Sequence, residues 1–67
     1  MNTYAVGTRV TFFSRQTGQW FTGEVVDHLT FNDKTCHIVR VPRYSRYGFE
    51  GNRIYDVWPD MQIAPLL

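Results

Sequence analysis

The side chains able to act as nucleophiles or bases in this 67-residue chain are few and scattered: Ser14, Ser45, the single cysteine Cys36, and two histidines, His28 and His37. Nucleophilic catalysis needs a base within hydrogen-bond reach of the nucleophile, and usually a third group to orient that base. Cys36 and His37 are adjacent in sequence, and neighbours on a strand point to opposite faces, so they do not read as a Cys–His pair. A buried thiol beside a half-exposed histidine is the plainer reading. Asp56 and Asp60 flank a turn and make a poor acid–base couple, Asp60 being better read as a turn former. Gly48 and Gly51 precede no helix, so they form no phosphate-cradling loop. Cys36, His28 and His37 lack CxxC or HxxxH spacing and fall short of the roughly four ligands of a structural zinc site. The chain is therefore expected to be a binding module, not an enzyme, with no cofactor and no metal.

The stretch from residue 40 to residue 55 has a different chemistry. Arg40, Arg43, Arg46 and Arg53 are interleaved there with Tyr44, Tyr47, Phe49 and Tyr55. A guanidinium offers a planar fork for phosphate, and an aromatic ring offers a face on which a base can stack. Arginine, unlike lysine, also stacks. The charge distribution points the same way: residues 24–33 carry Glu24, Asp27 and Asp33 with no lysine or arginine, whereas residues 34–53 carry Lys34 and four arginines against Glu50 alone. A surface that binds DNA or RNA is the first expectation. A net charge of only +1 argues against non-specific duplex binding, which usually rests on a larger basic excess. The same residues suit an acidic protein partner, making the chain a small regulator that inhibits or redirects a larger enzyme. They also suit a purely structural role, with tyrosines capping one end of the fold under arginines in cation–π contact.

Two further aromatics bear on binding. Trp20, if turned outward beside Tyr55 or Tyr47, would form an aromatic cage for a methylated cation; otherwise it packs across a hairpin onto Thr11 or Phe13. Phe12 and Phe13 cannot both face the core of one strand, so one of them lies on a surface or under a loop, which suits a partner or a homo-oligomer.

The elements that must position these residues are short strands. Hydrophobic residues make up 43% of the chain and aromatics 16%, enough for one compact domain over residues 1–67. β-Branched and aromatic runs alternate with turn residues, and no helical period persists. Strands are expected at residues 8–14, 20–29, 35–41 and 53–58, with a turn at 15–19, another at 31–34 and a long irregular loop at 43–52. Pro42 and Pro59 should end the third and fourth strands. Gly23 marks a bend or a close backbone approach, and the loss of alternation after Val25 predicts a bulge. Residues 59–62 suit a single 3₁₀ turn before a short fifth strand at 63–66. The fold class is all-β, a five-stranded SH3-like barrel. One cysteine allows no internal disulfide, in keeping with a cytoplasmic setting. No apolar run approaches the roughly 20 residues of a membrane span, so no membrane partner is expected.

Gly7-x-Arg9-Val10 followed by Trp20-Phe21-x-Gly23-x-Val25-Val26 resembles the opening hairpin of Tudor-like and other SH3-like modules, in which a glycine leads the first strand and an aromatic–glycine pair bends the second. The resemblance covers the first 26 residues and implies the barrel fold. The Gly-x-Arg-Val start, Ser14, Trp20, Gly23 and the Ile54-Tyr55 pair also resemble the plasmid-borne type II dihydrofolate reductases, tetramers of such barrels. That family carries a lysine in the first strand where this chain has Phe12, and a glutamine before the Ile-Tyr pair where this chain has Arg53. The resemblance thus implies the fold and not the reductase activity.

Overall fold

The computed structural model describes residues 3–66, which form five antiparallel strands and no helix. They are β1 (Arg9–Ser14), β2 (Gln19–Phe31), β3 (Lys34–Ser45), β4 (Gly48–Val57) and β5 (Ile63–Pro65). The strands make one sheet in the order β4-β3-β2-β1-β5. Among the described residues no helix is long and apolar enough to cross a membrane.

Alternation sets which face is buried. Val10, Phe12, Val25, Val39 and Val57 are fully buried, Val41 nearly so, and half-buried Tyr4, Phe21, Tyr55, Met61 and Ile63 pack around them. Phe12 lies 5.3 Å from the Tyr55 ring and 5.9 Å from Phe21, while Phe21 and Tyr55 stack at 5.3 Å. These rings and valines fill the concave side of the sheet. Its tight two-residue turn at Asn32 and Asp33 takes left-handed φ values of 50° and 64° at both positions, as the twist of a short hairpin requires.

The expected bulge lies between Val25 and Asp27. It resets the faces of β2. Before it, Val25 pairs with Val39; after it, His28 pairs with His37. Unbroken alternation would have sent Asp27 into the core and His28 out; one inserted residue, Val26, exchanges them. Gly23 is the other bend device. A Cβ there would collide with the carbonyl oxygen of Arg40 and lie 2.8 Å from Val39 Cγ1. Gly23→Ala is therefore expected to lower stability by about 1–3 kcal/mol, as overpacking does, because backbone is the obstacle and yields less than a flexible side chain. Urea titration of the two proteins checks this, and coincident midpoints would show that the approach of β3 to β2 is not tight.

Two expectations need correction. Pro42 does not end β3, and residues 43–52 are not a loop: β3 runs on to Ser45 and returns as β4 through a two-residue turn at Arg46 and Tyr47. The β2–β3 ladder ends at Glu24 and Arg40, so beyond that point β3 has a neighbour on one side only. A proline is tolerated in such an edge-like stretch, the more so beside a bulge. The register shifts between Pro42 and Tyr44, with the extra residue on β4, where Gly51 has a φ of 108°. Second, the sheet is open. β5 is only three residues long and ends in Pro65, and the first part of β4 is committed to the arm it makes with β3, so the edges β4 and β5 are not paired with each other. Between β4 and β5, residues 58–62 form a turn closed by the Met61 N–H donating to the Trp58 carbonyl at 2.9 Å, a single bond of the i→i+3 kind.

Candidate functional site

The extension of β3 and β4 past the rest of the sheet makes a two-stranded arm, in a molecule measuring 42 × 24 × 23 Å. Cross-strand partners share a face, so the register sorts the arm's side chains. Tyr44 and Phe49 stand opposite each other and their rings meet edge-to-face at 5.7 Å. Pro42 and Asn52 follow on the same face, and Arg40 beyond them. These residues, with Arg9 and Gly23, border a cleft of about 550 Å³ at the root of the arm. Tyr44 is 71% exposed and Phe49 58%. At the tip Tyr47 is 86% exposed, with the Arg46 guanidinium 6.0 Å from its ring centroid. The Tyr47 N–H donates to Ser45 Oγ at 3.0 Å, which holds the turn.

The four arginines do not converge. Arg40 is paired across the strands with Glu24, both partly exposed, and its charge is thereby offset. Arg43 lies between Pro42 and Tyr44, so strand alternation turns it to the opposite face from the aromatic pair. Arg53 stands opposite Val41 and shares that second face. Arg46 occupies the turn. The arm is thus two-sided, with rings on one face, Arg43 and Arg53 on the other, and a mixed tip.

Tyr55 is not part of the arm surface: it is half-buried and stacked on Phe21 in the core. Trp20 packs edge-to-face on Phe13 at 5.4 Å and remains 54% exposed. Among the described residues no ring pair joins Trp20 to Tyr47 or Tyr55. The Trp20–Phe13 pair also answers which of the two adjacent phenylalanines leaves the core: Phe12 is buried and Phe13 lies half-buried under the indole.

Comparison with protein-family models, with curated proteins and with solved structures finds no match in any of the three. The arm must be read from its own chemistry.

A second cluster was hidden from the sequence. The Tyr4 N–H donates to His37 Nε2 at 2.9 Å, and the Tyr4 carbonyl accepts from His28 Nε2 at 2.6 Å. The two imidazoles meet edge-to-face at 5.3 Å. Burial, and then the neighbouring His28, push the His37 pKa below its ordinary value. Only the bulge at Val26 aligns these histidines, and the single clue in the sequence was the broken alternation after Val25. Cys36, on the other side of β3, is fully buried, and burial with the nearby Asp56 carboxylate pushes its thiol pKa up. A thiol so held stays protonated and is a poor nucleophile. No group of three or more His, Cys, Asp or Glu side chains among the described residues could hold a metal ion.

Proposed function

We propose that the chain is a binding module that engages single-stranded DNA or RNA through the β3–β4 arm. The observation that carries this reading is the exposed Tyr44–Phe49 pair, which stands on a projecting ribbon and covers no core. Bases stack on such rings for roughly 1–3 kcal/mol each. Arg46 is exposed at the tip, and Arg43 and Arg53 are exposed on the face opposite the rings, so they meet phosphates where a strand stacked on the rings crosses the edge of the two-stranded ribbon. A single strand fits better than a duplex because its base faces are free and because a net charge of +1 suits a small number of phosphate contacts. The strand order and the bent β2 support relating this open sheet to the SH3-like folds. Phe12, at the position of the reductase family's lysine, is fully buried and could not line a pore, which supports leaving that activity aside.

A protein partner is the second reading, favoured by apolar exposure on the convex face, where Leu29, Phe31 and Ile54 are all more than half exposed. A mobility-shift assay at low salt with single- and double-stranded DNA and RNA separates the two. The first reading predicts a complex with a single strand that is lost on Arg43→Ala with Arg46→Ala, while the melting temperature is held. No complex with any of the four nucleic acids would refute it, and recovery of one stoichiometric protein from source cells, insensitive to nuclease, would establish the second.

A further inference from the structure

We propose that the segment carrying Tyr4 is an acid-released strap, held over an aromatic cleft by two histidines of which only one can keep its bond when protonated. The hydrogen-bond chemistry fixes the ring states. A backbone N–H only donates and a carbonyl only accepts. His37, which receives the Tyr4 N–H at Nε2, must therefore be neutral there, with its proton on Nδ1. His28, which faces the Tyr4 carbonyl, must carry a proton on Nε2. His28 can make its bond neutral or charged; His37 can make its bond only when neutral. A proton on His37 Nε2 sets two N–H donors against each other across 2.9 Å.

The surroundings offer that proton no facing carboxylate; the ring beside it, Tyr4 at 5.5 Å, belongs to the strap itself and leaves with it. His37 is 4% exposed. Facing it are Tyr4 from the N-terminal segment and His28 from β2, while β4 places Val57 opposite. The nearest acids are turned away: Asp56 pairs with Ile38 on the convex face, and Asp27, on that face too, accepts the His28 backbone N–H at 2.8 Å. Cys36 also lies on that side. The sign follows from a depressed histidine pKa. The bond is fully present above the ordinary value of 6.5 and is lost as pH falls below it.

Release would be local. Past Tyr4 the chain is pinned to β2, with the Gly7 N–H donating to the Val25 carbonyl at 2.8 Å and the Val25 N–H donating to the Thr8 carbonyl at 2.9 Å. The turn closed by the Thr8 N–H donating to the Ala5 carbonyl at 3.0 Å is the pivot, and Thr3 and Tyr4 can swing about it while the sheet stays intact. Tyr4 forms one wall of a cleft of about 440 Å³ whose other walls include Trp20, Trp58, Met61 and Ile63. Its departure widens that cleft and uncovers apolar surface.

The test is a nitrogen–proton NMR titration of the protein from about pH 7.5 to about pH 4.5, with the histidine rings followed in parallel. The expected result is a Tyr4 amide that shifts with the midpoint of the His37 ring, below 6.5. Its exchange protection should fall by roughly tenfold while the Val25, Val39 and Val57 amides hold. The Trp58 indole should report the opened cleft. In His37→Gln, whose amide oxygen accepts without titrating, the transition should vanish. A Tyr4 amide indifferent to His37 titration, a transition unchanged in the variant, or loss of all amides together would overturn the proposal. Should the variant not fold, the wild-type midpoints decide alone.

Discussion

Phe12→Ala is expected to leave the chain largely unfolded. Removing a fully buried phenylalanine typically lowers stability by about 3–5 kcal/mol, and a domain of this length holds roughly 3–10 kcal/mol in all. Phe12 sits where β1, β2 and β4 meet, against Phe21 and Tyr55 at once. No neighbour can close the void, because Tyr55 and Phe21 are already stacked on each other. Nor does a disulfide constrain the unfolded chain, since the only cysteine is free. Chemical denaturation followed by far- and near-ultraviolet circular dichroism measures the loss. A drop below about 1 kcal/mol would mean that the ring cluster is not the centre of the core.

The second large effect concerns binding. Tyr44→Ala combined with Phe49→Ala should weaken single-strand affinity by at least roughly thirtyfold, the equivalent of two stacked bases at the low end of their range. Stability should fall by no more than about 1 kcal/mol, the worth of one cross-strand aromatic pair on an exposed ribbon. Trp20→Ala is the matched control: Trp20 is exposed and aromatic, but it stands on Phe13 away from the arm. Its affinity should match that of the unsubstituted protein. Equal losses in the two variants would indicate general stickiness of exposed rings instead of a site on the arm.

Much of the fold was legible because β1 and β2 report their own faces. Val10 and Phe12, then Phe21 and Val25, alternate as core residues do, and Gly23 and the bulge fall where the pattern breaks. The arm was not legible. Pro42 reads as a terminator in isolation; its place in a strand depends on β2 having ended opposite Arg40, which is a fact about another segment. The glycines at 48 and 51 read as loop residues, yet one flanks a two-residue turn and the other serves a bulge.

The candidate site was legible in composition and not in arrangement. Tyr44, Tyr47 and Phe49 are exposed on the arm, whereas Tyr55, only six residues beyond Phe49, is a core ring. The bulge at Gly51 makes that difference by resetting alternation between them. Arg40 was counted with the free arginines, but its cross-strand neighbour is Glu24, sixteen residues away. The histidine clamp needed both the bulge at Val26 and the docking of a segment thirty-three residues away, and neither is a local property.

Binding of a nucleic-acid strand to the arm would combine stacking with a small number of arginine contacts. Fluorescence anisotropy of a labelled single-stranded oligonucleotide, titrated with the protein at several salt concentrations, tests it most directly. The expected result is a complex whose logarithmic affinity falls with the logarithm of salt at a slope of about −2, as three arginine–phosphate contacts on a single strand would give. No complex at low salt, or an affinity that does not change with salt, would contradict it.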